Sequence, residues 1–264
     1  MTPVLQKGDR FKYQSVVERY HLRAEYPDAL FEHLHSFTDA QSLVLDIGCG
    51  PGKLSYPVAR TVRRVDAVDL SEPMIQAARR VPESDEHIRW ITGDIHTAEL
   101  DSNYDLMMAG SSIHWMDLDK LFEYLLPLQS KQGKIVFLDG DAAFNPAWGA
   151  EELEILKLLQ LEINETRPPW VDSVVYPQPE RQVVVTHPLF KPEGTITPMH
   201  TVAQSVDDYI EVYFSRQSCA LDCMSTDAAD RFRARMKELL GNYATDEMLT
   251  FEVRLCCQWG RLSR

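Results

Sequence analysis

The chain has 264 residues, of which 44% are hydrophobic and 25% are charged. This composition is typical of a folded globular protein with one large domain or two small ones, and it excludes disordered, collagen-like and disulfide-scaffold chains. The formal net charge of −13 at pH 7 repels polyanions, so we expect no nucleic-acid partner. No apolar run reaches the ~20 residues that a membrane-spanning helix needs, so we expect no membrane partner.

The two ends and the cysteines indicate a cytoplasmic protein. The first residues lack the apolar segment of a signal peptide, and the last four form no lipidation motif. The five cysteines are odd in number, and no two of them have C-x-x-C spacing. We therefore predict free thiols, no disulfide framework and no metal site. We further expect the protein to be a monomer or a homodimer.

Residues 1–140 alternate short apolar runs with amphipathic stretches. An amphipathic helical stretch to about residue 35 comes first, and we expect it to fold over the site as a lid. The apolar runs predict strands at 44–47, 65–69, 88–92, 104–109 and 134–138, and helices are predicted between them at 53–61, 71–80 and 117–127. This alternation predicts βαβ units and hence an α/β fold with a doubly wound, mostly parallel, Rossmann-like sheet.

The pattern changes after Gly140. The sequence after this residue includes a proline-rich stretch. Its pattern predicts helices at 148–165, 206–217 and 227–240 and strands at 182–186, 195–197 and 249–258. We interpret residues 141–264 as a helical cap insertion plus the strands that complete a sheet of about seven. Residues 1–140 are predicted to form the ligand-binding core with its N-terminal lid.

Three glycines follow the first predicted strand and lie where α/β sheets bind their ligands. Beyond the carboxyl ends of the strands, Gly48, Gly50 and Gly52 permit a tight turn and close approach of the backbone to a ligand. A dinucleotide fingerprint needs a small residue where Lys53 stands, and a P-loop needs Ser or Thr where Leu54 stands. The loop therefore favours neither a nicotinamide dinucleotide nor a nucleotide phosphate.

The D-x-G-x-G-x-G pattern of residues 46–52 resembles motif I of the class I S-adenosylmethionine-dependent methyltransferases. Later landmarks follow in the family's order through residue 140, and the resemblance implies S-adenosylmethionine as the cofactor. It implies that Asp69 binds the ribose hydroxyls, Asp94 binds the adenine amino group, and Gly110 lies along the methionine part. The implied cofactor contacts are Asp46, Gly48, Cys49, Gly50, Gly52, Asp69, Leu70, Met74, Asp94, Ile95, Gly110 and Ser111.

Three aspartates at successive strand ends suit this cofactor, because it carries a sulfonium and an ammonium and no phosphate. Each also has a purely structural interpretation. Asp46 could accept backbone amides of its turn, Asp69 could cap the helix that follows, and Asp94 could stabilise the turn after Gly93.

The second informative segment is Ser111 to Asp117, in which His114 and Trp115 follow the fourth strand. It resembles the small-molecule branch of the family, in particular the trans-aconitate methyltransferase-like proteins. His114 is the predicted general base, since its unperturbed pKa of ~6.5 suits removal of the acceptor's proton. The alternative is that its ring only lines the pocket. Trp115 is predicted to bind substrate, or else to be a core tryptophan.

Four further residues are predicted to bind the acceptor. The segment from Tyr20 to Pro27 resembles the start of that branch, but its tyrosine-to-arginine spacing is one residue short and Ala24 stands where proline is usual. In the second half, two tyrosines at i,i+4 share a helix face. The predicted substrate residues are Trp115, Tyr20, Arg23, Tyr209 and Tyr213, and Arg167, Arg181 or Arg216 could bind a carboxylate. The alternative is that the two tyrosines of the second half belong to the core and that the three arginines lie on the surface.

The sequence thus predicts a methyltransferase that acts on a small molecule, with a carboxylate or a natural-product intermediate as acceptor and transfer to O, N or C left open. The alternative is a protein that binds S-adenosylmethionine without transferring methyl, for regulation or to promote a rearrangement. Methylation of nucleobases is disfavoured, because residues 110–113 lack the Asn/Asp-Pro-Pro-aromatic turn that usually follows the fourth strand.

Overall fold

The computed structural model describes residues 9–81, 86–164 and 185–264. Within these ranges the chain forms two compact units. The first, which we call the core unit, comprises residues 25–140, 185–198 and 255–264. The second, the helical unit, comprises residues 9–24, 141–164 and 199–254. One boundary between the two units follows Gly140, where the sequence pattern also changes. Residues 9–24, which the sequence analysis assigned to the core with its lid, belong to the helical unit.

The described residues contain nine strands and eight α-helices. The strands are β1 (Leu43–Ile47), β2 (Arg64–Asp69), β3 (Ile88–Thr92), β4 (Tyr104–Gly110), β5 (Gln129–Asp139), β6 (Phe190–Ile196), β7 (Met199–Ser205), β8 (Met248–Arg254) and β9 (Cys256–Leu262). The helices are α1 (Gln14–Arg19), α2 (Asp28–His35), α3 (Ser55–Ala59), α4 (Glu72–Arg79), α5 (Leu118–Leu125), α6 (Gly149–Asn164), α7 (Val206–Val212) and α8 (Thr226–Gly241).

The core unit is built on a seven-stranded sheet in the order β3-β2-β1-β4-β5-β9-β6. Strands β1 to β5 are parallel, and β9 runs antiparallel between β5 and β6. This confirms the predicted α/β class and the mostly parallel sheet of about seven strands. The strand order reverses between β1 and β4, which is the switch point where open α/β sheets bind ligands.

The central strands read as apolar runs because helices cover both faces of a parallel sheet. Four of the five residues of β1 are buried, and so are the middle residues of β2 and β4. The helices between them begin at the predicted capping residues. The Ser71 hydroxyl accepts the Met74 amide at 3.3 Å, and Asp117 accepts the Lys120 amide at 3.3 Å. Because β1 is parallel to both β2 and β4, the carboxyl ends of these three strands lie at one edge of the sheet.

The helical unit contains α1, α6, α7, α8 and the two-stranded sheet β7-β8. Its interior is an apolar cluster in which residues of α6, α7, α8 and β8 pack together, including Ile163, Ile210, Met236 and Phe251. Each helix contributes one apolar face, as expected for helices that bury a stripe against their neighbours. No helix of the described residues has both the length and the apolar character needed to cross a membrane.

Several predicted boundaries in the second half are wrong. The single strand expected at 249–258 is two strands, β8 and β9, which lie in different sheets and meet at the buried Leu255. Helix α7 ends at Val212 and continues as 3-10 turns, while β7 was not predicted. Its residues alternate only between exposed and partly exposed, so the sequence lacks the apolar alternation that marks a strand. Residues 165–184, with Arg167, Arg181 and part of a predicted strand, lie outside the described residues.

Candidate cofactor and acceptor site

The glycine loop adopts a conformation that only glycine accommodates easily. Gly48, Gly50 and Gly52 have φ angles of +69°, +54° and +90°. A Cβ atom on Gly48 would lie 2.6 Å from the Cβ atom of Ser112, closer than side chains approach. The amides of Gly48 and Cys49 donate to the Val68 carbonyl at 2.8 and 3.0 Å, which holds the loop against β2. The loop therefore presents backbone rather than side chains at the edge of the sheet.

Asp69, the last residue of β2, is held beside this loop by two amides. Its Oδ2 accepts the Gly50 amide at 2.8 Å, and its Oδ1 accepts the Ser71 amide at 2.7 Å. Burial raises the pKa of Asp69, and the two amide bonds oppose that rise. Each carboxylate oxygen has a further lone pair, so the group can accept hydroxyl donors while it fixes the loop. The next side chain, Leu70, is 49% exposed and offers an apolar surface.

Asp46 is a buried carboxyl group with one satisfied oxygen. Its side chain lies in β1 and is 1% exposed. Oδ2 accepts the Ser55 hydroxyl at 2.6 Å, whereas Oδ1 is buried and has no hydrogen-bond partner among the described residues. Burial raises the pKa of Asp46 to about 7, with the Ser55 bond opposing the rise and the charge of Asp69 adding to it. An unsatisfied buried acceptor beside a second acid is suited to a positively charged ligand.

Asp94 stabilises the turn after β3, which is the structural role that the sequence analysis gave as the alternative to adenine binding. Asp94 Oδ1 accepts the His96 backbone amide at 2.9 Å and lies 2.7 Å from His96 Nδ1. The two bonds to His96 hold the pKa of Asp94 below its usual value. Its side chain is 57% exposed, while Ile95 beside it is buried. The predicted adenine contact stays a prediction. Met74 is 1% exposed and packs inside the core unit.

The end of β4 brings together residues that the sequence did not single out. A Cβ atom on Gly110 would lie 2.6 Å from a methyl group of Leu54 and 2.8 Å from the Tyr26 hydroxyl. Ser111 has a φ of +49°, unusual for a residue with a side chain, and its hydroxyl donates to Asp139 Oδ1 at 3.3 Å. Backbone strain of this kind concentrates at functional sites. Tyr26 belongs to the Tyr-Pro pair of the N-terminal pattern, which was the signal available for it, whereas Asp139 had none.

His114 and Trp115 follow β4 in a 3-10 turn that spans Ile113–Trp115. Their rings lie 4.5 Å apart between centroids at an angle of 53°. The His114 side chain is exposed, and Trp115 is partly buried. Ser112, just before them, donates to the Ile47 carbonyl at 2.5 Å and fixes this turn to the end of β1. The imidazole is thus accessible to an acceptor and lies on a turn attached to the sheet.

The other predicted substrate residues lie in the helical unit in two pairs. The Arg23 guanidinium stacks 4.2 Å above the Tyr20 ring and donates to the Ser215 hydroxyl at 2.9 Å. Tyr209 and Tyr213 are 6% and 5% exposed, with ring centroids 6.2 Å apart. Both tyrosines thus lie mostly inside the helical unit. The rings of Tyr209 and Tyr213 lie close together, as their i,i+4 spacing predicts, and the substrate role of all four residues stays a prediction.

All five cysteines are free thiols. Burial raises the pKa of the Cys49 thiol well above its usual value, and the charges of Asp69 and Asp46 raise it further. The thiol in the glycine loop is therefore an apolar contact and not a nucleophile. Within the described ranges, no group of three or more His, Cys, Asp or Glu side chains is arranged to hold a metal ion.

Comparison with known proteins relates this site to methyltransferases. Residues 44–133 match the family described as Methyltransferase domain. A probable S-adenosylmethionine-dependent methyltransferase of Saccharomyces cerevisiae is 26% identical over 122 residues, which cover 44% of this chain and 42% of that protein. A malonyl-acyl-carrier-protein O-methyltransferase of Priestia megaterium is 29% identical over 102 residues, covering 36% of this chain and 37% of that protein. The chain therefore matches less than half the length of these curated relatives.

A solved structure extends the likeness beyond the matched sequence. The fold resembles that of a type II methyltransferase candidate from Anaeromyxobacter dehalogenans with a TM-score of 0.63 at 18% identity, covering 90% of this chain and 97% of that chain. The shared fold is a Rossmann-like α/β fold built on a mostly parallel sheet. Residues 44–133 are accordingly similar to a methyltransferase domain. The assignment of the chain to the trans-aconitate-like branch stays a prediction.

Proposed function

We propose that this protein transfers the methyl group of S-adenosylmethionine to a small-molecule acceptor. The observation that carries the proposal is the loop after β1, in which three glycines with positive φ expose the backbone and Asp69 holds the Gly50 amide. This loop lies within the part of the chain that matches the methyltransferase domain.

The residues of the core unit fit the chemistry of the cofactor. Asp69 would accept the ribose hydroxyls with the lone pairs that its amide bonds leave, and Leu70 would pack against the adenine ring. The unsatisfied oxygen of Asp46 and the charge of Asp69 favour a ligand with an ammonium and a sulfonium over one with a pyrophosphate. Lys53, which stands where a dinucleotide fingerprint requires a small residue, forms an ion pair with Glu25 at 2.9 Å.

The cofactor supplies a methyl group already activated by the positive sulfur. The protein's contribution is to position the acceptor and exclude water, which supplies as much as ~7–11 kcal/mol of barrier reduction in well-oriented reactions. For an acceptor that must lose a proton, His114 would take it through its exposed imidazole. No covalent intermediate with the protein is needed.

A small acceptor is supported by charge and by similarity. The net charge of −13 disfavours a nucleic acid. The relative from Priestia megaterium is named as a malonyl-acyl-carrier-protein O-methyltransferase, and not as a nucleic-acid methyltransferase.

The test is a mass balance. The purified protein is incubated with S-adenosylmethionine and a metabolite extract, and products are followed by mass spectrometry. We expect equal amounts of S-adenosylhomocysteine and of a metabolite carrying one added methyl group. Binding of the cofactor without its consumption would favour the non-transferring alternative, and absence of binding would refute the assignment of the site.

A further inference from the structure

Strand β7 of the helical unit is paired along one side only. Within the described ranges, β8 is the one strand with which it forms a ladder. The Val206 amide donates to the Glu247 carbonyl at 2.9 Å, and the Leu255 amide donates to the Pro198 carbonyl at 3.0 Å. Bonded and non-bonded pairs alternate along an antiparallel ladder, so the even-numbered residues of β7 direct their backbone groups toward β8.

The odd-numbered residues of β7 direct their backbone groups away from β8. Met199, Thr201 and Ala203 are all exposed, and we call the side of the strand formed by their amides and carbonyls the β7 edge. It ends before Ser205, whose hydroxyl accepts the Asp208 amide at 3.0 Å and begins α7. A row of unpaired donors and acceptors of this kind is a template for another strand.

The other edge strands of the described residues carry features that prevent such pairing. Strand β6 contains Lys191, Pro192 and Glu193, and its register with β9 shifts after the proline. Strand β3 has five residues and includes Arg89. The far side of β8 is bridged by Ala143. Strand β7, by contrast, has seven residues with no proline and no acidic or basic side chain other than a histidine. Its edge is therefore open to a partner strand.

We propose that the β7 edge pairs with the β7 edge of a second copy of this chain, giving a homodimer with one continuous sheet in the order β8-β7-β7-β8. The two β7 strands run antiparallel about a two-fold axis at Thr201. Thr201 then lies opposite Thr201 of the partner subunit, and Met199 lies opposite Ala203 of the partner subunit. An edge of this kind is self-complementary, because each outward amide meets an outward carbonyl.

Charge and side chains favour a second copy as the occupant. Two chains with a net charge of −13 repel each other, so an uncharged strand is a favourable place for them to meet. The exposed Asp208 follows one end of β7, and Arg254 lies opposite Met199 at the other end. Antiparallel pairing brings these unlike ends together. Met199, which is 51% exposed, packs against the methyl group of Ala203 of the partner subunit.

The experiment combines sedimentation velocity with hydrogen exchange of the full chain. Sedimentation over a series of protein concentrations should show a reversible monomer–dimer equilibrium. At the concentration where the dimer predominates, the amides of Thr201 and Ala203 should exchange at least ~10-fold more slowly than in the monomer. The amides of His200 and Val202, which bond to β8, should change less.

A backbone variant assigns the dimer to this edge. Thr201→Pro removes an outward N–H, while the ladder to β8 does not use that group. It should raise the dissociation constant of the dimer at least ~10-fold. The matched control is Thr201→Val, which loses the hydroxyl bond to Glu252 at 2.6 Å but keeps the N–H and should dimerise like the wild type.

A charge variant gives a second, independent test. Thr201→Lys places two ammonium groups directly opposite each other at the two-fold axis and should also weaken the dimer at least ~10-fold. Thr250→Lys adds the same charge at an exposed position on the same face of β8, away from the axis, and should leave the dimer intact.

Each result decides the proposal. A wild-type chain that is monomeric at every concentration would overturn it, and so would a dimer in which the amides of Thr201 and Ala203 exchange as fast as in the monomer. It is equally overturned if Thr201→Pro and Thr201→Lys dimerise like the wild type, or if Thr250→Lys weakens the dimer as much as Thr201→Lys. Circular dichroism checks that each variant is folded. Should Thr201→Pro fail to fold, the two lysine variants still decide.

Discussion

The core unit and the helical unit arrange their polar groups in different ways. In the core unit, Asp46, Asp69 and Ser111 lie at or near the ends of adjacent parallel strands, and backbone amides hold the second of them. In the helical unit, side chains from separate segments bind one another, as Arg23 does with Ser215. The first arrangement follows from the parallel sheet, whose strand ends lie side by side. The second depends on the identity of individual side chains in segments far apart in the sequence.

The largest expected effect tests the glycine loop. Gly50 has a φ of +54°, and a β-branched side chain there would strain the backbone by ~1–3 kcal/mol and so distort the loop. We expect Gly50→Val to remove measurable binding of S-adenosylmethionine in calorimetry. The control is Gly241→Ala, since a Cβ atom there meets nothing within 4 Å. Retained micromolar affinity in Gly50→Val would contradict the assignment of the loop.

The next effect concerns rate rather than binding. If His114 removes the acceptor's proton, His114→Ala should lower kcat by ~10²- to 10⁴-fold while the cofactor dissociation constant stays unchanged. His87→Ala is a suitable control, because His87 is exposed, its Nδ1 lies 3.0 Å from the Arg63 carbonyl, and it precedes β3, away from the carboxyl ends of the strands. An unchanged rate in His114→Ala would contradict the role of general base and show that the imidazole only lines the pocket.

A third prediction uses the pH dependence of stability. Burial raises the pKa of Asp46 from 3.8 to about 7, so between these values the folded protein holds a proton that the unfolded chain has released. The unliganded protein therefore loses stability as pH rises through this window, by up to ~4 kcal/mol in total, and the loss persists above it. Asp46→Asn cannot ionise and should escape this loss.

Urea unfolding measures the difference. The free energy of unfolding of Asp46→Asn, relative to wild type, should increase by up to ~3 kcal/mol between pH 5 and pH 8. The unsatisfied amide that the substitution buries costs the same at both pH values and cancels. Asp246→Asn, at an exposed position, should show no such trend. A constant difference between Asp46→Asn and wild type would show that the carboxyl group is ionised throughout.

The smallest effect tests the independence of the helical unit. The Tyr209 hydroxyl accepts the Trp148 indole N–H at 3.1 Å and donates to Glu152 at 2.9 Å. Tyr209→Phe leaves both buried groups without that partner and should cost ~1–3 kcal/mol of stability, without changing cofactor affinity. Thermal unfolding checks the loss of stability, and calorimetry checks the cofactor affinity. The control is Tyr243→Phe, because the Tyr243 side chain is 38% exposed. Weakened cofactor binding in Tyr209→Phe alone would contradict it.

The sequence predicted the core unit better than the helical unit, for a physical reason. Parallel strands such as β1 and β4 are buried on both faces, so each reads as an apolar run, and glycines mark the turn that follows. Strand β7 has no buried face of that kind, and β8 and β9 follow one another with a single residue between them although they belong to two different sheets. Local pattern does not reveal such a division, because the choice of partner strand is a long-range interaction.

What the sequence by itself determined was the α/β class, the position of the glycine loop and the aspartates that follow successive strands. These depend on local conformational preference and on apolar periodicity, both of which neighbouring residues encode. Only the tertiary structure showed that Asp46 keeps an unsatisfied buried oxygen, that Ser111 is strained beside Asp139, and that Arg216 shares Asp141 with Arg23. Those features arise from contacts between residues far apart in the chain, where burial and charge are set by packing.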